Sequence, residues 1–190
     1  MAYDPEYARR ALGSVNLALA DASWPKYFAQ ERDRVRPLLG CIADDLQHYG
    51  STAVAGLRAK PVIDMMAPVS SLDEADELDN VLAEAGYRKI DAGFLKRRFF
   101  RREPEGEHPA YHLHLVVAHG WPIKNELLLR DWLIQHPEIA HAYEALKIEL
   151  AERYAEDMPL YTNGKTSFLR RVINEARLSK GLAAECDWDE

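Results

Sequence analysis

Residues 48–66, HYGSTAVAGLRAKPVIDMM, decide how this chain folds. Residues 43 to 49 read as a strand running into Gly50, Thr52 to Ala59 as a short helix, and Val62 to Met66 as a buried strand opened by a proline. A glycine at a strand-to-helix junction lets a ligand approach the backbone closely. The helix that follows aims unpaired N–H groups and a positive dipole end at any anion. Ser51 and Thr52 add hydroxyl donors, and Lys60 and Arg58 add charge. The same Gly-Ser pair also suits a tight turn with a helix cap, so the stretch alone leaves cradle and turn both open. Asp64 sharpens the question. A carboxylate inside an apolar strand must be paired, coordinated or hydrogen-bonded, because burying it bare is costly. A salt bridge to Lys60 or to an arginine of another strand is the purely structural alternative.

Working outward, residues 24 to 40 carry Phe28, Val35 and Leu38 near helical spacing, with Pro37 predicting a kink or an early end. Ser70 or Ser71 caps a helix through about Ala85, and Gly86 ends it. YRKI, FLKRRFFRR and AYHLHLVVA follow as strands separated by turn residues, which predicts an antiparallel hairpin or meander. From Trp121 the period becomes helical. NELLLRDWL is one helix. A second follows Pro137 with Ile139, Tyr143, Leu146, Leu150 and Tyr154 on one stripe, and a third runs from about Lys165 to Leu178. The expectation is one α/β (α+β) domain over 1–180. It has a small mixed sheet of four or five strands, flanking helices and a helical C-terminal third, and 181–190 form a flexible tail.

Composition narrows the partners. The 190 residues are 47% hydrophobic and 29% charged, ordinary for a soluble globular chain. A net charge of −7 argues against a general binder of nucleic-acid polymers, which needs a basic face. No run approaches the roughly 20 apolar residues that span a bilayer, and the N-terminus lacks the apolar core of a signal peptide. Cys41 and Cys186 have no metal-type or redox spacing and read as reduced thiols of a cytoplasmic protein. Nothing in the pattern fixes an oligomeric state.

Three further groups of residues bear on chemistry. Tyr111-His112-Leu113-His114-Leu115 puts both imidazoles on one face of a strand. Two histidines and a carboxylate suit Zn²⁺ or another transition metal, so Asp64, His112 and His114 are a candidate metal set if their strands adjoin, with His48 near it. Cross-sheet hydrogen bonding of the two histidines is the alternative. His108, His119, His136 and His141 fall in turns or on helix surfaces and take no role. Lys96 to Arg102 holds five cations interleaved with Phe99 and Phe100. Charge guarding an edge strand explains the run, with Arg98, or its neighbours Arg97 and Arg101, turned to a phosphate. No Walker loop is present: no lysine follows Gly56, and Pro159 stands where Asn163-Gly164-Lys165-Thr166 would need a glycine.

GSTAV, GLRAKPVIDM, HLHLV, LRDWL, YEALK and YTNGKTSFLRRVINEA occur in that order, and in this the chain resembles the GrpB family from about Trp24 to Arg177. The resemblance implies a nucleotidyltransferase-like fold, in a family sometimes fused to dephospho-CoA kinase. In nucleotidyltransferases Gly-Ser cradles the nucleotide phosphates, and two acids on the next strand, often with a third on a later one, hold divalent metal. Gly50, Ser51 and Asp64 match that pattern, but the second acid's position is Met66. Lys165 matches a lysine of the family and would reach the same cleft. These matches imply three readings. The first is a nucleotidyl- or phosphoryl-group transferase on a small molecule, with Asp64 catalytic and Mg²⁺, Mn²⁺ or Zn²⁺ as cofactor. The second is a non-catalytic module that binds a nucleotide or anionic small molecule beside a partner enzyme. The third is a metal-dependent hydrolase or ligase acting on an anionic small molecule.

Overall fold

A computed structural model describes residues 15–185. Its sheet consists of β1 (Gln47–Tyr49), β2 (Val62–Val69), β3 (Arg88–Ile90), β4 (Arg97–Arg102) and β5 (Ala110–Val117), in the order β1-β2-β5-β4-β3. β2 and β5 run parallel over eight residue pairs, and the other three pairings are antiparallel. The mixed sheet and the β3-β4-β5 meander thus stand as the turn residues predict.

Period-two alternation sorts the side chains between two layers. Ile63, Met65, Ala67 and Val69 of β2, with Tyr111, Leu113 and Leu115 of β5, enter the main core. There they meet Trp24, Val35 and Leu39 of α1 (Trp24–Leu39), Ala75 of α2 (Leu72–Glu77) and Leu82 of α3 (Asp79–Glu84). The alternate residues face the C-terminal helices α4 (Asn125–Gln135), α5 (Pro137–Arg153) and α6 (Met158–Ser179). Tyr49, Met66 and Val116 pack on Leu127 there, which fastens α4 to the sheet. No helix of the described residues is long and apolar enough to cross a membrane.

Several local expectations change. Thr52 to Ala59 is not a helix. Only Ser51–Ala53 makes a 3₁₀ turn, Gly56 takes φ +81°, and Ala59 pairs with Ala18 through two backbone hydrogen bonds of 2.8 and 3.2 Å. That extended tie is incompatible with a helix over the same residues. Pro37 neither kinks α1 midway nor ends it early, since it falls in the last turn before Gly40. The helix after Ser71 divides at Leu78, with the Ser71 hydroxyl accepting from Glu74 N–H at 3.1 Å.

The basic strand β4 is not an edge. It lies between β5 and the three-residue β3, and its charges are matched: Arg97 by Glu126, Arg98 by Asp76, Arg101 by Glu103, Arg102 by Glu31. α6 begins at Met158, two turns before the expected start. Asp157 caps it by accepting from Leu160 N–H at 3.0 Å, with Pro159 in its first turn. Gly164 sits inside the helix because a Cβ there would fall 2.5 Å from Leu150 Cδ2. From Gly181 to Glu185 the chain folds back on α6. Arg177 Nε donates to Ala183 O at 2.8 Å, and Glu185 N–H donates to Asn174 Oδ1 at 2.9 Å. Cys41 is an exposed free thiol, and Cys186 lies outside the described residues.

Among the described residues Glu31 is the one buried carboxylate, at 3% exposure. It accepts from Arg34 Nε at 3.0 Å, Arg102 Nη1 at 3.1 Å and the Tyr87 hydroxyl at 2.7 Å. Burial, with the neighbouring Glu31 charge, keeps the Tyr87 phenol far above its ordinary pKa. Removing one partner from such a group strands the others. Glu31→Ala is expected to destabilise the protein by about 3 kcal/mol, read as a lower urea midpoint with an unchanged m-value.

Candidate functional site

The open face of the sheet and the three C-terminal helices enclose a cleft of about 730 Å³. Its floor is built at Gly50 and Asp64. Gly50 takes φ +73° and ψ −172°, a region essentially reserved for glycine. A Cβ added there would lie 2.5 Å from Asp64 Oδ2, so carboxylate and backbone meet with no side chain between them. The register of β2 on β5 sets Asp64 opposite His112, and Asp64 Oδ1 lies 3.1 Å from His112 Nδ1. The pairing expected for a buried carboxylate is therefore met, mainly by an imidazole, while its charge also acts on nearby Lys60.

Ser51 lies at the cleft wall. Its Oγ accepts from Lys147 Nζ at 3.2 Å and hydrogen-bonds the Tyr143 hydroxyl. Thr52 borders the cleft too, but its hydroxyl is already engaged: it donates to Val62 O at 2.9 Å and meets His48 Nε2 at 3.0 Å. Thr52 is thus a structural tie from the turn to β2. His48 stacks on Phe28 at 4.9 Å, and burial lowers its pKa to about 4.

The expected Asp64–His112–His114 metal set is not assembled. His114 sits opposite Met66, not Asp64. Its ring stacks on Phe99 at 4.5 Å with Tyr49 and Phe94 around it, and burial pushes its pKa well below the ordinary value. The two imidazole centres are 6.5 Å apart with planes at 75°. A Zn–N bond of about 2.0–2.1 Å places a shared ion about 3.2 Å from each ring centre. At that reach the rings could share an ion only by facing each other straight across it. Among the described residues no group of three or more His, Cys, Asp or Glu side chains is placed to hold a metal ion. Met66 has 0% exposure and packs against Tyr49, Val116 and Leu127, so an acid there would be buried bare in the contact that seats α4. His112 Nε2 and His114 Nδ1 are buried without a hydrogen-bond partner among the described residues, and Asp64 contacts His112 through Nδ1. The residues present do not fit the implied metal centre.

Charge gathers around this floor. Lys60, Lys96, Arg97, Lys124, Arg130, Lys147, Lys165 and Arg177 line the cleft against Asp64, Glu126 and Glu185. Lys165 stands in the middle of α6, not at its start, with Nζ 4.3 Å from the Tyr161 ring centre. Lys60 Nζ approaches Met158 Sδ at 3.6 Å, and burial lowers its pKa. Arg98 is absent from the cleft. It points to the opposite face of the sheet, where it grips Asp76 through two hydrogen bonds of 2.7 and 2.8 Å. Arg97, one residue earlier, is the strand arginine that turns to the cleft, 4.1 Å over the Phe94 ring and 3.0 Å from Glu126.

Lys147 is a cleft residue that sequence reasoning missed, as it did Lys124, Arg130 and Arg177. It is 2% exposed on α5, donates to Ser51 Oγ and to Arg58 O, and has its Nζ 4.8 Å from the Tyr143 ring centre. Its signal was present: it is the cation at Tyr143 + 4 and Leu150 − 3, on the apolar stripe of that helix.

The family model for the GrpB protein matches residues 14–175. This chain belongs to the GrpB family. It is 33% identical over 169 residues to the glutamate-rich protein GrpB of Alkalihalophilus pseudofirmus, covering 86% of this chain and 96% of that one. The crystal structure of GrpB from Enterococcus faecalis superposes with a TM-score of 0.77 at 27% identity, covering 87% of this chain and 99% of that one. A protein of Mycobacterium tuberculosis named dephospho-CoA kinase is 30% identical, over 82% of this chain but 44% of its own length. The Cid1 poly(U) polymerase, in a MgGTP-bound crystal structure, matches with a TM-score of 0.50 at 16% identity, over 78% of this chain and 46% of that one. The fold of this GrpB-family chain is therefore nucleotidyltransferase-like.

Gly50→Ala forces a side chain into a glycine-only conformation and onto Asp64. It is expected to cost about 1–3 kcal/mol from backbone strain alone, seen as a lower melting temperature. His48 titrates near 4 in the fold and near 6.5 unfolded, so between those values the unfolded chain binds more protons and stability rises with pH. Stability falls as pH drops from about 6.5, by up to about 3 kcal/mol at pH 4 from this group. His48→Gln should flatten that part of a denaturation-versus-pH profile.

Proposed function

We propose that the cleft binds a nucleotide or closely related phosphorylated small molecule. One observation carries the reading: among the described residues, eight lysine and arginine side chains against three carboxylates line a single cavity, in a chain whose net charge is −7. Such an imbalance inside a low-dielectric concavity attracts a compact polyanion. Gly50 gives that ligand access to bare backbone, Ser51 offers a hydroxyl, and Lys60 and Lys165 offer charge. The nucleotidyltransferase-like fold supports the reading, since the related polymerase structure holds MgGTP. No step of it runs through a protein-bound divalent metal.

Binding beside a partner enzyme is the role this reading favours. A chain named dephospho-CoA kinase includes a region 30% identical to this one, which makes a CoA precursor or a nucleoside triphosphate the first ligand to try. Group transfer is the second reading. The observation favouring it is Asp64 on the cleft floor, a carboxylate held in place by His112 that would take the proton of an acceptor hydroxyl.

The test is thermal unfolding with ATP, GTP, CTP, UTP and dephospho-CoA, each with and without Mg²⁺. A ligand at about a hundred times its Kd should add roughly 2.7 kcal/mol of stability, and Lys60→Met should weaken that binding at least about ten-fold, about 1.4 kcal/mol. Lack of a shift with every ligand overturns the proposal. Pyrophosphate release or acceptor labelling that Asp64→Asn abolishes while the fold is kept would establish transfer over binding alone.

A further inference from the structure

The end of the cleft at Ser51 holds a buried cation whose ordinary partner is missing. Lys147 is 2% exposed, yet among the described residues its ammonium hydrogen-bonds no carboxylate. It donates to a serine hydroxyl and a backbone carbonyl, with an aromatic ring beside it. The groups around it come from three elements. On its own helix are Tyr143 and Glu144, and on α6 are Tyr161 and Lys165. On the 51–60 segment are Ser51, Arg58 and Lys60, with Asp64 on the sheet beyond. Glu144, an acid whose charge acts on Lys147, accepts from the Arg58 backbone N–H at 2.7 Å. Lys165 lines the same cleft, and its positive charge acts directly on Lys147.

Two ammonium groups in one concavity repel, and burial disfavours the charge on the more enclosed of them. An entering phosphoryl group reverses both effects, because it supplies the opposite charge and a charged acceptor oxygen beside the two neutral ones. We propose that Lys147 and Ser51 form a proton-linked anion subsite, in which a phosphoryl oxygen entering between Lys147 and Lys165 draws a proton from solvent onto Lys147. The proposal rests on the reading of the cleft as a nucleotide site and adds to it which lysine meets the anion and what accompanies the meeting. The proton goes to the free amine, no covalent bond forms, and the ammonium then donates to the phosphoryl oxygen. In the free protein burial, reinforced by Lys165, lowers the Lys147 pKa to about 7. At pH 8.5 the free side chain is therefore mostly neutral, and the bound one is charged.

The experiment is calorimetric titration of ATP at pH 8.5 in two buffers of different ionisation enthalpy, on the full chain, without metal. ATP is fully deprotonated there, so proton uptake reports on the protein. The wild type is expected to take up close to one proton per ATP bound, and its affinity should rise by up to ten-fold as the pH falls from 8.5 to 7.5. Lys147→Arg carries a permanent charge, and Lys147→Met carries none. Both should bind ATP with no uptake and a flat pH profile, the methionine variant more weakly. Binding without uptake by the wild type overturns the proposal. So does uptake that persists in both variants, which would transfer the proton to Lys60 or another group. Failure of ATP, GTP, CTP, UTP and dephospho-CoA all to bind the wild type overturns the nucleotide reading itself, and this proposal with it.

Discussion

The parallel ladder between β2 and β5 is the constraint on which the rest depends. Eight consecutive pairs, from Val62 on Ala110 to Val69 on Val117, fix which side chains go to the core and which to the cleft. A one-residue slip of β2 would put Asp64 into the apolar layer and turn Ile63 and Met65 out of it, and a slip of β5 would do the same to His112, Tyr111 and Leu113. The apolar set is fully buried, so the hydrophobic effect holds the register that places the chemistry. Asp64 meets His112 because Ile63 and Tyr111 must be inside.

The same ladder makes Gly50 indispensable. β1 folds back antiparallel on β2 with Tyr49 opposite Asp64, so the next residue turns directly over the carboxylate. There the backbone must reverse without a Cβ. Thr52 then locks the turn to Val62, and the Ala18–Ala59 pairing draws the following loop out straight. What looks in sequence like a helix start is a turn held at both ends. In the proposed site, access for an anion therefore comes from bare backbone and side chains, without the dipole of a long helix behind it.

How much of this could be read beforehand follows from where each signal lives. The strands were legible because their alternation is local, and Asp64 and His112 were legible because a polar group within an apolar run needs an explanation. The side of the sheet to which Arg98 turns was not. RRFFRR offers an arginine to each face, and only the pairing of Arg97 with Val116 and Arg98 with Leu115 says which goes where. The start of α6 hid behind Pro159, Asn163 and Gly164, residues that ordinarily mark loops. The proline sits in the first turn, where its missing N–H costs nothing, and the glycine is demanded by Leu150 on another helix. Lys147 was overlooked because its surroundings come from three separated segments.

Met66 and the lysines are two sides of one electrostatic arrangement. In a site with two adjacent carboxylates, phosphate and acid repel unless cations stand between them. Here one of those positions is a methionine that holds α4 to the sheet, and the remaining carboxylate is engaged by His112. Glu126 and Glu185 are likewise occupied by Arg97 and Arg177. The cleft's acids are thus each engaged by a side chain of the protein itself, while among the described residues Lys60 and Lys147 hydrogen-bond no carboxylate. An ammonium held in a low-dielectric wall attracts phosphate more strongly than one in water does, and burial makes its charge conditional. On the proposed reading, a methionine in place of one acid and the enclosure of one lysine have the same consequence: the charge of the ligand completes a site whose charges, among the described residues, do not balance.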